Sequence, residues 1–206
     1  MLPSESITPP GEIAAIVLAA GFSTRMGQTK ALVPLAGQPL LSWIIRSLTP
    51  CCKFVFVVTG HDAESVFAAC KKLNVTAVFN PSFSLGMLSS IQAGAKAALD
   101  TDVQGALIAP VDVPLCDSAV PQKLIDRWVM TQCSVAIPTY ESRGGHPVWF
   151  DRHELGRLVA LDPVGNTARN IVDSARHLER VNVDTSDILF NLNTPHDVER
   201  WAERHL

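Results

Sequence analysis

At 206 residues, the chain has a formal net charge of -3, 47% hydrophobic residues and 18% charged residues. It is too apolar for wholesale disorder, and with no cationic excess no nucleic-acid partner is expected. No apolar run reaches the ~20 residues needed to cross a bilayer, so no membrane partner is expected, and the length suits one large α/β core better than two small ones.

The opening MLPSESITPPGE lacks the basic and apolar regions of a signal peptide. Residues 1–11 therefore read as a disordered lead-in, residues 12–206 as one domain, and the expected location is cytoplasmic. IAAIVLA (13–19) is the first apolar run, followed by FVFVVTG (54–60), VTAVFN (75–80), GALIAPV (105–111) and SVAIPT (134–139). Short runs ended by Gly, Pro, Asn or Asp suit strands buried on both faces. Helix-length amphipathic stretches separate them: PLLSWIIRSL, AESVFAACKKL, MLSSIQAGAKAAL and SAVPQKLIDRWVM. The alternation predicts an α/β fold, a Rossmann-like three-layer domain whose mostly parallel sheet is covered by helices on both faces. After Thr139, GGHPVWF reads as a strand, HELGRLVAL as a short helix and HLERVNVD as another strand. NTPHDVERWAERHL closes the chain as a helix with Thr194 as N-cap and Pro195 at its first position. The five cysteines, odd in number and without C-x-x-C spacing, read as small buried thiols and not as a disulfide or zinc framework.

Ligands of open α/β sheets bind beyond the carboxyl ends of the strands, so the residues after each apolar run carry the argument. After the first strand comes Leu18-Ala19-Ala20-Gly21-Phe22-Ser23-Thr24-Arg25-Met26-Gly27-Gln28-Thr29-Lys30. Small residues at Ala19, Ala20 and Gly21 let backbone N–H groups approach an anion or a base edge, and Arg25 and Lys30 add charged donors. The spacing is neither Walker A nor G-x-G-x-x-G. From spacing alone, an ordinary glycine turn with two solvated cations fits equally well.

L-A-A-G-x-S-x-R-M-G-x-x-K resembles the signature loop of the nucleotidyltransferases that include molybdenum cofactor cytidylyltransferases and guanylyltransferases and, more distantly, sugar-1-phosphate nucleotidyltransferases. The resemblance covers nearly the whole chain and implies an NTP transferase domain. It implies nucleotide contacts by Leu18, Ala19, Ala20, Gly21, Arg25 and Lys30, and by Asn80, Gly86, Ser89 and Ser90. Locally, Gly86 opens a helix whose free N–H groups suit an anion. Ser89 and Ser90 read equally well as ordinary first-turn residues.

Asp112, in Ala109-Pro110-Val111-Asp112-Val113-Pro114, is a carboxylate at a strand end and a suitable Mg²⁺ ligand, or else a cap for the following helix. The resemblance favours the metal. Asn193, in Asn191-Leu192-Asn193-Thr194-Pro195, matches the family position that contributes a second metal ligand. Gly144-Gly145-His146-Pro147-Val148 resembles the stretch lining the acceptor side, which makes His146 and then Arg143 the candidate acceptor contacts. One departure is Asp162-Pro163-Val164-Gly165-Asn166-Thr167-Ala168-Arg169, where only Ala168-Arg169 keeps the family pattern.

The implied reaction is transfer of a nucleoside monophosphate from an NTP to a phosphorylated acceptor, with Arg25, Lys30 and Asp112 as the catalytic set. Leu-Ala-Ala-Gly is the cytidylyltransferase form of the loop, and the Ala20 methyl narrows the base pocket, so CTP with molybdopterin is the first expectation. GTP with molybdopterin, or an NTP with a sugar 1-phosphate, is the alternative. A reading of another class is a non-catalytic cofactor carrier that docks a molybdoenzyme partner through an exposed Val148-Trp149-Phe150 run.

Overall fold

The computed structural model describes residues 13–115 and 117–205. The lead-in expected over residues 1–11 lies outside them, as does Cys116.

β1 (Ile13–Ala19) is buried at every position. Ile13, Ala15, Val17 and Ala19 enter one core layer, while Ala14, Ile16 and Leu18 enter the other. With a side-chain period of two, an all-apolar strand needs cover on both faces. β1 pairs in parallel with β4 (Phe54–Thr59) on one side and β6 (Gly105–Pro110) on the other. β5 (Thr76–Phe79) extends the sheet beyond β4. Past β6 come β9 (Val148–Asp151), β7 (Val135–Tyr140) and β10 (Leu178–Asn182), with the two-residue β8 (Arg143–Gly144) on β7, giving the order β10-β7-β9-β6-β1-β4-β5. β9 runs antiparallel to both β6 and β7, while β10 is parallel to β7.

On one face, α1 (Leu40–Leu48), α2 (Ala63–Leu73) and α4 (Ala119–Thr131) bury Leu41, Ile44, Val66, Leu124 and Trp128. On the other, α3 (Met87–Leu99), α5 (Arg152–Ala160) and α6 (Ala168–Asp173) bury Ile91, Ala95, Leu155, Leu158 and Ile171. The α/β three-layer fold expected from the alternation is present. α3 lies close on the sheet because position 94 is glycine: a Cβ there would come within 2.3 Å of Ile16 Cγ2. That close approach brings the start of α3 beside the end of β1.

A third cluster joins the chain's end to its beginning. Trp201 of α7 (Pro195–His205) is fully buried with Leu35, Leu40 and Leu192, and Trp43 meets it edge-on at 5.3 Å. Leu35 belongs to the hairpin of β2 (Pro34–Leu35) and β3 (Gln38–Pro39). α7 and the Asn193 segment before it are thereby fixed against the loop that follows β1.

Two expectations are corrected. β5 is not buried on both faces, because it is the edge of the sheet, with Thr76 and Phe79 exposed. Val148, Trp149 and Phe150 are no docking surface: they form β9, inserted between β6 and β7, with at most 8% of any of them exposed. Cys51, Cys52, Cys70 and Cys133 are buried as expected, and burial pushes the thiols of Cys51 and Cys70 up to about 11. Among the described residues no helix is long and apolar enough to cross a membrane.

Candidate active site

The loop after β1 is held at the carboxyl end of the sheet by its own carbonyls. Leu18 O accepts the N–H of Val111 at 3.1 Å, and Ala20 O accepts that of His61 at 3.1 Å. A 3-10 turn over Thr24–Met26 follows, bracketed by Ser23 at φ 53° and Gly27 at φ 71°, left-handed positions that reverse the chain. The reversal carries Lys30 back, and its backbone N–H donates to Ser23 Oγ at 3.0 Å.

Lys30 Nζ donates to Asp112 Oδ2 at 2.7 Å and to Asn193 Oδ1 at 3.0 Å, while Arg25 Nη2 reaches Asn193 Oδ1 at 3.2 Å. Four residues from three distant segments thus meet around one ammonium. The side chains of Lys30 and Asp112 keep 15% and 19% of their surface, enough to be reached from the cleft and little enough to limit screening by water. Asp112 does not cap α4, whose start is instead supplied by Asp117, accepting from the Ala119 N–H at 2.8 Å. The backbone carbonyl of Asp112 accepts from Leu192 N–H at 2.9 Å, which lays the Asn193 segment alongside the end of β6.

Asn193 is positioned by Asp197, which spacing did not single out. Asp197 Oδ2 accepts from the N–H of Asn193 at 3.1 Å, the N–H of Thr194 at 2.9 Å and the Thr194 hydroxyl at 2.8 Å. Thr194 Oγ1 in turn accepts the Asp197 N–H at 3.3 Å, a reciprocal cap with aspartate in the place of the usual glutamate. The Thr194 hydroxyl, aided by the two N–H groups, holds the Asp197 carboxyl below the ordinary carboxylate value. A group with a lowered folded pKa contributes stability above its unfolded value and loses it as pH falls through the folded one. Asp197→Ala is therefore expected to lower stability in neutral solution by about 1 kcal/mol and to flatten the acid limb below pH ~4. Urea denaturation at a series of pH values checks both.

A cleft of about 450 Å³ opens beside this cluster, lined by Leu18, Ala19, Ala20 and Gly21, by Gly86 and Ser90 at the start of α3, and by Lys30 and Asp112. Gly86, at φ 100°, is the N-cap of α3, as expected. Asn80 and Ser89 are not on the cleft wall. Both are buried, and the Asn80 amide donates to Ser89 Oγ at 3.0 Å and Ser90 Oγ at 3.1 Å while its Oδ1 accepts from Ser82 N–H at 2.9 Å. They brace the loop from behind, and Ser90 alone of the three reaches the cleft.

A second cleft of about 520 Å³ adjoins the first, sharing Leu18 and Met87 with it. Ile108, Ile137, Val148 and Phe150 give it an apolar floor, and His146, Arg169 and Arg180 contribute polar groups. Burial pushes the His146 imidazole below its ordinary value, against the opposing pull of Asp112. Its Nδ1 is buried and has no hydrogen-bond partner among the described residues. Arg143 is exposed on β8 and does not line either cleft. Arg180, on β10, carries no motif in the sequence that points to this cleft, whereas Arg169 has a signal in the retained Ala168-Arg169 pair.

Asp151, His153 and Glu154 also bring three ligand-type atoms together. They lie at the opposite end of β6, where Asp151 pairs with Gly105, and the carboxylates already take Arg176 at 2.8 Å and Arg157 at 2.7 Å.

The MobA-like NTP transferase domain family matches residues 15–181. The chain belongs to this family. Among relatives of MobA-like NTP transferases, a molybdenum cofactor cytidylyltransferase of Escherichia coli (strain K12) is 23% identical over 94% of this chain and 97% of its own length. A molybdenum cofactor guanylyltransferase of Rhodopseudomonas palustris (strain BisB5) is 31% identical over 92% of each. The crystal structure of Rv0371c from Mycobacterium tuberculosis H37Rv is similar with a TM-score of 0.76 and 25% identity, over 93% of this chain and 98% of that one. The same protein has also been solved with manganese. The MobA-like match takes in Arg25, Lys30 and Asp112 and ends before Asn193, which is joined to them by the Trp201 cluster and the Asp112 carbonyl.

Proposed function

We propose that the protein transfers a nucleoside monophosphate from an NTP, with CTP favoured, to a phosphorylated acceptor of the molybdopterin type. The observation that carries this reading is the Lys30 ammonium held between Asp112 and Asn193, beside a loop of small residues at the carboxyl ends of β1 and β6. An ionised acceptor phosphate needs no base. Its oxygen attacks the α-phosphorus, the bond to the β-phosphate oxygen breaks, and pyrophosphate leaves with the electron pair. Catalysis then consists of positioning and charge neutralisation.

Arg25 and Lys30 neutralise the triphosphate and the departing pyrophosphate. The Ala19–Gly21 backbone and the start of α3 accommodate the nucleotide in the first cleft. The donor set fits Mg²⁺: Asp112 and Asn193 offer hard oxygen atoms that already flank a single positive charge. Asp112 and Asn193 would hold such an ion, which would supply further charge neutralisation for the transfer. The second cleft receives the acceptor, with His146, Arg169 and Arg180 as its polar contacts.

CTP is favoured because the Ala20 methyl forms part of the first cleft and leaves less room for a purine. Relatives named as guanylyltransferases, at up to 31% identity, support GTP as the second reading. A methyl-sized difference in a pocket is worth about 1–3 kcal/mol, so the expected ratio of kcat/KM for CTP over GTP is about 10- to 100-fold. Initial rates of pyrophosphate release with Mg²⁺, molybdopterin and each NTP decide between them; a ratio below one makes GTP the substrate. Release supported only by a sugar 1-phosphate would replace the acceptor and keep the chemistry.

A further inference from the structure

Beside the phosphate-facing residues, the first cleft has an aromatic lip that the transfer chemistry does not use. Phe22 follows the small-residue loop and is 52% exposed, and Met87 at the start of α3 is 61% exposed. Both line the same cleft, Phe22 from the loop after β1 and Met87 from the first turn of α3. Large apolar side chains left open to water in a cleft that also holds Lys30 and Asp112 mark a surface that a ligand covers.

Phe22 is also held in place. Its ring centroid lies 5.1 Å from that of His61 at 58° and 5.3 Å from that of Phe83 at 57°, and His61 meets Phe83 edge-on at 6.3 Å. Phe83, half-buried, can approach only because position 60 is glycine: a Cβ there would come within 2.6 Å of Phe83 Cβ and 2.8 Å of the Ala20 carbonyl. Gly60 thus brings the three-ring cluster up against the loop that begins at Ala20. A ring buttressed on two sides and open on its remaining surface loses little conformational freedom when a planar group packs on it.

We infer that Phe22, buttressed by His61 and Phe83, is a stacking platform for the nucleobase, with the Met87 thioether as the opposing wall. The inference rests on the nucleotide reading of the first cleft and assigns the base, as distinct from the phosphates, to this lip. Every base has a π-face, so the platform supplies affinity without choosing among bases, and the choice stays with Ala20. Thioether sulfur packs favourably against aromatic rings, which suits Met87 to the other side.

The test is equilibrium binding of CTP, GTP and inorganic tripolyphosphate to the full chain and to its Phe22→Ala and Phe22→Trp variants. Phe22→Ala is expected to weaken CTP and GTP alike by about tenfold or more, to leave tripolyphosphate affinity unchanged, and to be rescued by Phe22→Trp. Wild-type affinity for both nucleotides in Phe22→Ala overturns the platform while leaving the nucleotide reading intact. An equal loss for tripolyphosphate also overturns it, by making Phe22 a support of the phosphate loop. If the wild-type chain binds neither nucleotide more tightly than tripolyphosphate, both the platform and the nucleotide reading fall.

Discussion

Asp112→Ala is expected to lower kcat/KM for the proposed nucleotidyl transfer by about 10³-fold or more, because one residue would supply the carboxylate of the proposed cation site and is the partner of Lys30. The fold should survive. The Asp112 contact that ties the Asn193 segment to β6 is made by its backbone carbonyl, which alanine keeps. Circular dichroism and urea denaturation of the variant separate lost chemistry from lost structure. Asp112→Asn, which retains an oxygen ligand but not the charge, should fall between wild type and alanine. Pyrophosphate release at the wild-type rate in Asp112→Ala would remove this carboxylate from the site.

Lys30→Ala carries the second large effect. Its ammonium bridges Asp112 and Asn193, so its loss removes the charge-assisted donor proposed for the triphosphate, deprives Asp112 Oδ2 of that cation and leaves Asn193 Oδ1 to Arg25. The expected cost is about 2–4 kcal/mol of transition-state stabilisation, a fall of roughly 10²- to 10³-fold in kcat/KM. Weaker NTP binding should accompany it. Lys30→Arg should recover only part, since a planar fork cannot replace a compact ammonium donating to two oxygens around one point. NTP titration and steady-state kinetics of both variants measure this; unchanged affinity and rate in Lys30→Ala would make Lys30 a surface charge.

The site was legible where chemistry sits on short, punctuated sequence. Arg25, Lys30 and Asp112 each follow an apolar run closely, and a parallel sheet brings the ends of such runs together. Their convergence with Asn193 rests on long-range contacts, the Trp201 cluster and the Leu192 hydrogen bond to Asp112, which local spacing does not encode. Other features depend on tertiary pairing that local spacing does not carry. Val148-Trp149-Phe150 is an apolar run whether it lies on a surface or in an inserted antiparallel strand, and periodicity does not separate the two cases. Asn80 and Ser89 lie close in sequence to residues of the first cleft, yet the Asn80 amide donates to Ser89 and Ser90, its Oδ1 accepts from the Ser82 N–H, and the Ser89 hydroxyl donates to the Gly86 carbonyl. Arg180 reaches the second cleft only because β10 pairs with β7 at that side of the sheet.

Transfer of the α-phosphoryl group with its nucleoside is tested by following a label in either the α- or the γ-phosphate of CTP, with Mg²⁺ and molybdopterin present. Nucleotidyl transfer puts the α-label on the acceptor and the γ-label in free pyrophosphate. A γ-label on the acceptor would make the protein a kinase, and an NTP that binds without losing either label would make it a carrier; either result contradicts the account.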